Sequence, residues 1–249
     1  MEEKDSVIRH LLDLCRKNER TGLWQYSGFL SPAEQEDFFR CPEAARFSFR
    51  FDGGYEGAER KILCAGNEAE SGEAEIPLRV IRVKPKSSKY AEELSHRDYL
   101  GSILGLGIER TLIGDLLVRE KECFFFCLSS AADMIVTSLD TVRRTAVLAA
   151  ETALDIPELQ QRYAPLRLNV ASERLDALAA AFTGLSRSKA EGLFGAEKVF
   201  VNGRCVTDKS ARLKEGDIFS VRGFGKAVYD GIDHETKKNR LWVRLRKYV

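Results

Sequence analysis

The stretch from Glu173 to Lys226 constrains the fold of this chain more than any other part of the sequence. Its first half contains two short runs with apolar residues at helical spacing, and its second half places Asn202-Gly203 between two apolar runs. Asn-Gly is a strong hairpin signal, because a type I′ turn needs two successive residues with positive φ. The stretch therefore predicts a helix pair followed by a β-hairpin, which is a small α+β unit.

The first helix of this pair is predicted to follow Ser172, a capping residue, and to end at Gly184. Glu173 and Asp176 fall in its first turn, where the helix dipole favours anions. Its buried stripe comprises Leu175, Leu178, Ala179 and Phe182.

The second helix is predicted to begin near Ser186 or Ser188, and the spacing from Ser188 to Glu191 fits a capping box. Arg187 and Lys189 lie in its first turn, where cations gain nothing from the helix dipole. Exposed backbone N–H groups together with two cations favour an anion, so we expect a phosphate there. The alternative is an ordinary solvated helix start.

Five motifs in this stretch resemble the S4 domain, also called the αL RNA-binding domain. They are Arg174-Leu175-Asp176, Ser186-Arg187-Ser188-Lys189-Ala190, Val199-Phe200-Val201-Asn202-Gly203, Gly216-Asp217 and Val221-Arg222-Gly223-Phe224-Gly225-Lys226. The chain departs from the family at Glu197, where a glycine is usual, so the resemblance is weakest at the turn between the second helix and the hairpin.

The C-terminal tail alternates apolar and polar residues from Leu241 to Tyr248, after a basic run of Lys237, Lys238 and Arg240. This pattern predicts a strand with Leu241, Val243 and Leu245 toward the core and Trp242, Arg244, Arg246 and Tyr248 on the other face. Arginines between aromatic residues suit contact with phosphates and stacking on bases or sugars. Alternatively, these cations only protect a sheet edge from pairing.

The residues that we expect to contact RNA combine the S4-like motifs with this tail. They are Arg174, Ser186, Arg187, Ser188, Lys189, Lys198, Asn202, Arg204, Arg222, Lys226, Arg244 and Arg246. Charge supports the choice of this end of the chain. Residues 173–249 carry 16 basic and 10 acidic side chains, whereas the first 172 residues carry 23 and 28.

Composition sets the class of protein. The chain has 249 residues, of which 44% are hydrophobic and 31% charged, so it has room for two or three modest domains. We find no apolar run of about 18 residues and no signal peptide, so no membrane span is expected. Six cysteines without C-x-x-C spacing predict a reducing, cytoplasmic setting, with Cys123 and Cys127 buried around a Phe-Phe-Phe strand.

The N-terminal residues predict two helices followed by strands. Val7, Ile8, Leu11, Leu12 and Cys15 form the apolar stripe of the first helix. Ser31-Pro32-Ala33-Glu34 has the cap, proline and acid of a second helix start. Phe47 to Phe51 and Ile62 to Ala65 read as strands, and Gly66 to Glu75 as a long loop.

The middle of the chain reads as strand, helix, strand, strand, helix, strand, the split βαβ order of ferredoxin-like and RNA-recognition folds. It lacks the aromatic RNP1 motif, so base stacking on this sheet is not expected. The residues from Ser95 to Ile108, followed by Ile113-Gly114-Asp115, resemble the middle domain of the YlmH family of bacterial S4 proteins. His96 and Arg97 are candidate partner contacts here, and Asp98 either caps the helix or forms an ion pair.

Enzyme motifs are incomplete in this chain. His96-Arg97-Asp98 is like a kinase catalytic loop, but Ile103 stands where the metal-binding Asn is required. Lys86-Ser87-Ser88-Lys89 lacks the partner motif of an aminoacyl-tRNA synthetase, and the three histidines are far apart in sequence. We therefore predict no catalytic residue, no metal and no cofactor.

The resulting prediction is a multidomain α+β protein. Its parts are a small α/β N-terminal domain (1–73), an RRM-like middle domain (74–155), a linker (156–172) and an S4 domain (173–249). The YlmH resemblance implies a noncatalytic protein that binds structured rRNA and tRNA on the large ribosomal subunit, in quality control of stalled translation. Alternatives are an RNA-modifying enzyme or its targeting subunit, and a general RNA-binding regulator. The oligomeric state is not predicted.

Overall fold

A computed structural model describes residues 2–87, 89, 91–153, 159–160, 162–236 and 239–249. The chain forms two compact units, Met1–Gln161 and Arg162–Val249. None of the described helices is long and apolar enough to cross a membrane.

The first part of unit 1 packs helices against a three-stranded antiparallel sheet of order β1-β3-β2. Its elements are α1 (Glu2–Thr21), β1 (Gln25–Leu30), α2 (Pro32–Phe39), β2 (Phe49–Asp52), β3 (Lys61–Ala65) and α3 (Glu68–Ser71). The predicted capping box of α2 is confirmed, because Ser31 and Glu34 bond each other's backbone N–H groups. Strand β1 was not predicted, and the predicted Gly66–Glu75 loop includes the single turn α3.

The second part of unit 1 has the predicted split βαβ order. Its elements are β4 (Leu78–Pro85), α4 (His96–Gly105), β5 (Ile113–Arg119), β6 (Glu122–Leu128), α5 (Ser129–Ser138), β7 (Thr141–Val142) and β8 (Thr145–Thr152). The sheet order is β5-β6-β4-β8-β7, and all the pairs are antiparallel.

Both faces of strand β6 are buried, which explains its unbroken apolar run. Cys123, Phe125 and Cys127 pack against the α4 and α5 side, whereas Phe124 and Phe126 join a cluster with β1 and β3. Burial raises the pKa of the Cys127 thiol to about 12, so this side chain is an un-ionised apolar group, as predicted. The N-terminal segment therefore covers the part of the opposite sheet face that β6 and the start of β4 form, whereas Arg82, Lys84 and Leu148 of the same face stay exposed.

A network of hydrogen bonds also joins the two parts of unit 1. The Asp115 carboxylate accepts hydrogen bonds from the Tyr55 hydroxyl at 3.0 Å and from the Glu59 and Arg60 backbone N–H groups at 2.6 and 3.1 Å. The Arg60 guanidinium donates to the carbonyls of Phe29 and Ile113. Residues on both sides of the predicted boundary at 73/74 thus belong to one compact unit.

Unit 2 contains a six-stranded antiparallel sheet of order β11-β10-β12-β13-β14-β9. Its elements are β9 (Tyr163–Val170), α6 (Leu175–Thr183), α7 (Arg187–Gly195), β10 (Val199–Val201), β11 (Arg204–Cys205), β12 (Ile218–Val221), β13 (Gly225–Glu235) and β14 (Leu241–Tyr248). Helices α6 and α7 pack on one face of this sheet, which we call the helix side, around Leu178, Phe194, Phe219 and Val243.

The predicted linker 156–172 is wrong over residues 163–170, because these form strand β9 and pair with β14 along its whole length. Leu166 and Leu168 pack against the core on the helix side. Pro165, Arg167 and Asn169 occupy the alternate positions, so residues 164–170 carry the alternation of a half-buried strand, which the linker prediction does not take into account. Linker residues 156–158 and 161, like Lys237 and Lys238 of the tail, lie outside the described residues.

The start of α6 differs from the prediction, whereas α7 begins at the first of its two predicted positions. Helix α6 begins at Leu175 and not after Ser172, because the Leu175 and Asp176 N–H groups bond the carbonyls of Ala211 and Lys209. Ser186 is the N-terminal flanking residue of α7, so Ser188 lies inside the helix and the predicted Ser188–Glu191 capping box does not form.

The turn after α7 forms although its usual glycine is missing. Glu197 adopts a left-handed backbone with φ 53°, a conformation that favours glycine. The Lys198 N–H bonds the Leu193 carbonyl and the Glu197 N–H bonds that of Phe194, the pair of bonds that defines a Schellman motif. The Asn202-Gly203 hairpin is confirmed, with φ values of 49° and 77°.

Candidate RNA interface

The predicted RNA-contacting residues divide between the two sides of the sheet in unit 2. Alternation along the strands places Lys198, Arg222, Lys226, Arg244 and Arg246 on the face opposite α6 and α7, which we call the outer face. The helix side carries the others apart from Asn202, namely Arg174, Ser186, Arg187, Ser188, Lys189 and Arg204. The set therefore does not form one patch.

A buried carboxylate organises the helix side. The Asp176 side chain is 1% exposed and lies in the first turn of α6. It accepts hydrogen bonds from the Arg174 guanidinium at 3.2 and 3.3 Å, from Arg187 at 2.7 and 3.3 Å, and from the Ala177 N–H at 2.8 Å. Asp176 thus ties the residue before α6 to the first residue of α7.

The charge state of Asp176 follows from these contacts. Burial alone would raise the pKa of its carboxyl group, but the hydrogen bonds from Arg174, Arg187 and the Ala177 N–H outweigh burial and hold the pKa below its usual range. Asp176 is therefore ionised at neutral pH. It fixes the position of two guanidinium groups whose side chains remain about half exposed, at 43% for Arg174 and 53% for Arg187.

Arg187 and Lys189 are both exposed, but the Arg187 guanidinium also stabilises a buried charge. Lys189 is the simpler surface cation. It is exposed, and it forms no ion pair with any other residue that the structure describes. Ser186 and Ser188 are exposed beside it at the start of α7, and neither forms a side-chain cap there.

Asn202 has a structural role that the sequence did not indicate. Its side-chain amide donates to the Asp217 carboxylate at 2.8 Å, and its amide oxygen accepts from the Ile218 N–H at 2.8 Å. Both ends of the side chain are thus used to fasten the hairpin to β12. Arg204 lies opposite Val201, whose side chain packs on the core, so Arg204 is on the helix side.

On the outer face, cations lie over aromatic rings. The Arg222 guanidinium is 4.4 Å from the Phe200 ring centre, the Lys226 ammonium is 4.4 Å from that of Tyr248, and the Arg246 guanidinium is 5.0 Å from that of Tyr163. Cation–π attraction stabilises such arrangements. Of the tail aromatics predicted to stack on bases, Tyr248 thus already supports a cation.

Strand β14 lies between β13 and β9, so the alternative that its arginines protect a sheet edge is wrong. Arg244 and Arg246 are exposed on a fully paired strand. Arg246 pairs with the Asp230 carboxylate at 3.0 Å, whereas Arg244 forms no ion pair within the described part of the chain.

The middle-domain candidates lie in unit 1. His96 and Arg97 are exposed in the first turn of α4. Asp98 caps this helix through the Ser95 hydroxyl and N–H at 2.7 and 2.8 Å, and also pairs with Arg143 at 3.4 Å. The Ser95 hydrogen bonds, helped by Arg143, lower the pKa of Asp98. Asp98 is therefore a capping residue, and the contact hypothesis rests on His96 and Arg97.

Sequence reasoning missed several residues of the outer face. Phe200, Tyr163 and Arg167 belong to it, and Phe224 lies at the tip of the β12–β13 hairpin with 39% of its surface exposed. The sequence Gly223-Phe224-Gly225 indicates a turn with an aromatic residue at its tip, so Phe224 could have been predicted. Tyr163 and Arg167 lie in the predicted linker 156–172, for which no strand is predicted.

Comparisons with known proteins agree with this architecture. Residues 73–155 match the family described as "Putative RNA-binding domain in YlmH", and residues 173–219 match the S4 domain. A structure titled "Cell division protein ylmH from Streptococcus pneumoniae" has a TM-score of 0.52, covering 61% of this chain and 93% of that chain. At 16% identity, this likeness supports the fold alone.

A curated relative settles the family. "Ribosome-associated protein quality control protein P2" of Bacillus subtilis (strain 168) is 30% identical over 226 residues, which are 88% of this chain and 85% of the relative. The two family matches lie in the same order as the middle and C-terminal parts of the fold. This chain belongs to the YlmH family.

Proposed function

We propose that this protein is a noncatalytic RNA-binding protein that acts on the large ribosomal subunit, where it contacts rRNA and tRNA during quality control of stalled translation. The name of the Bacillus relative supports the process, and the S4 and RNA-binding family matches support RNA as the ligand. The structured RNA of a large subunit suits a protein that presents cations on two sides of a small unit.

The observation that carries the proposal is the Arg174–Asp176–Arg187 cluster. A buried carboxylate holds two guanidinium groups beside the exposed first turn of α7, where Lys189 adds a third cation. Guanidinium groups bind phosphate oxygens through two parallel hydrogen bonds. Because the arginines are held before RNA arrives, less side-chain entropy is lost on binding.

Unit 1 has a supporting role in this proposal. Residues 1–78 carry 10 basic and 16 acidic side chains, so the N-terminal segment is a poor partner for phosphates. We assign protein contacts or orientation to the N-terminal segment. His96 and Arg97, near the start of α4 in the second part of unit 1, provide an additional contact with the ribosome. Joining weak sites to the RNA-binding unit raises their effective concentration.

Ribosome-profile sedimentation tests the proposal. The full chain is expected to cosediment with large subunits at low salt, and the Lys189→Glu variant is expected to shift toward the free fractions. Lys17→Glu, which reverses an exposed lysine of α1 in unit 1, is the matched control and should sediment like the wild type. Exclusive recovery with mRNA or in the free pool would contradict the proposal and favour a general RNA-binding regulator.

A further inference from the structure

The outer face of the sheet in unit 2 carries a row of partly exposed aromatic residues. Its aromatic side chains come from four strands, and each lies on the face opposite α6 and α7. They are Phe200 of β10, Trp242 and Tyr248 of β14, Tyr163 of β9 and, through its ring contact with Trp242, His234 of β13.

Three of these rings hold a cation in place. Arg222, Lys226 and Arg246 each lie over one ring at 4.4 to 5.0 Å from its centre. An arginine stacked on a ring still presents its N–H edge and its second planar face to a ligand. The rings therefore reduce the entropy that these long side chains lose when they bind an anion.

The outer face has more positive charge than its own carboxylates neutralise. Asp230 pairs with Arg246, and Asp233 pairs with Arg167 at 3.0 Å. Arg222 and Arg244 have no carboxylate partner among the residues that the structure describes. An anionic ligand therefore complements this face, and the spacing of Arg244 and Arg246 along β14, about 7 Å, suits repeated negative charges.

An exposed ring lies at one end of this face. Phe224 forms the tip of the β12–β13 hairpin between Gly223 and Gly225, with Arg222 and Lys226 on either side. A side-chain atom added at Gly223 would meet nothing within 4 Å, so the space on that side of the tip is open, whereas one added at Gly225 would contact Lys247 and Phe182. An exposed ring flanked by cations can stack on a base whose phosphates the cations bind.

We propose that the outer face is a second RNA-binding surface, separate from the helix side, and that it takes an unpaired RNA strand. Arg222, Lys226 and Arg244 bind phosphates along the strand, and Phe224 stacks on one base. Only an unpaired strand offers a free base face, because bases in a duplex are stacked on each other. This inference rests on the proposed function for its ligand class, but it assigns a different surface and a different form of RNA.

The test uses the full chain with two fluorescent probes, a twelve-nucleotide uridine strand and a stable RNA hairpin. Phe224→Ala should weaken binding of the uridine strand by at least about fivefold. Phe224→Tyr should restore it. The Arg222→Ala/Arg244→Ala double variant should lower the log–log salt slope by about 0.7 for each phosphate that the variant no longer binds. The substituted side chains are all exposed, and circular dichroism verifies the fold of each variant.

Lys189→Ala is the matched control on the helix side. It should weaken binding of the RNA hairpin while leaving the uridine strand within twofold of the wild type. The outer-face variants should show the reverse pattern.

Several results would overturn the inference. One is that Phe224→Ala and Arg222→Ala/Arg244→Ala both bind the uridine strand as tightly as the wild type. Another is a wild-type chain that cosediments with large subunits but does not bind the strand, which would leave the proposed function intact. Binding of polyglutamate that depends on Arg222 and Arg244 but not on Phe224 would indicate an acidic protein partner instead.

The inference and the proposed function can also be separated in the other direction. If the uridine strand binds in a Phe224-dependent way but the chain does not cosediment with large subunits, the inference is supported and the proposed function is contradicted.

Discussion

The two sides of one sheet in unit 2 use cations in different ways. On the helix side, Arg174 and Arg187 bond a buried carboxylate, so they contribute to the fold as well as to any ligand. On the outer face, Arg222 lies on a ring and Arg244 has no ion-pair partner among the described residues, so these cations contribute little to the fold. The comparison shows that equal charge in the sequence does not mean equal function. What separates the two groups is whether a buried partner depends on the cation.

The largest expected difference between the two sides is in stability. Asp176→Ala should lower the free energy of unfolding by about 1–3 kcal/mol, because it removes the buried acceptor that joins Arg174, before α6, to Arg187 of α7. Arg222→Ala/Arg244→Ala should lower it by less than about 1 kcal/mol, since only the exposed contact between Arg222 and the Phe200 ring is lost. Urea unfolding of the full chain measures both, and equal effects would remove the distinction between the two sides.

The pH dependence of stability sharpens the same comparison. The pKa of Asp176 is lower in the folded state than its unfolded value of about 3.9, so its ionisation stabilises the fold above that value. This contribution is lost as the pH falls through the folded-state pKa. Urea midpoints of the wild type and Asp176→Asn should therefore differ at pH 7 and converge in acid. A gap that stays constant down to about pH 2.5 would show that Asp176 is not stabilised as an anion.

The smallest expected effect concerns the turn between helix α7, on the helix side, and strand β10 of the sheet. Glu197→Gly should raise the free energy of unfolding by about 0.5–1 kcal/mol, because glycine adopts the left-handed conformation without the steric cost that Glu197 has. Thermal unfolding measures the change. Glu191→Gly, inside α7, is the control and should destabilise the protein. A destabilised Glu197→Gly variant would mean that the carboxylate itself holds the turn.

Local chemistry made much of this fold predictable. The capping box of α2, the Asn202-Gly203 turn and the alternation of β14 each depend on neighbouring residues, and each matches the structure. The split βαβ order of the middle part was predictable for the same reason.

What the sequence did not indicate depends on contacts between distant residues. The sequence alone does not show that Arg187 and Asp176, eleven positions apart, share a buried ion pair. Strand β9 needs β14 as a partner, with paired residues 71 positions (Val170 and Leu241) to 85 positions (Tyr163 and Tyr248) apart, and that pairing makes Arg167 and Tyr163 part of a face. Whether β14 lies at the edge or in the interior of the sheet also depends on its pairing with β9.

The salt dependence of binding to purified large ribosomal subunits tests the central claim most directly. Binding through phosphates on the two sides of unit 2 predicts that the affinity of the wild-type chain falls steeply and linearly on a log–log plot against salt. Lys189→Glu and Arg244→Glu should each weaken binding and each reduce the slope by about 0.7–0.9 for every phosphate that is no longer bound. An affinity that is independent of salt, or one that neither variant changes, would contradict RNA recognition by these surfaces.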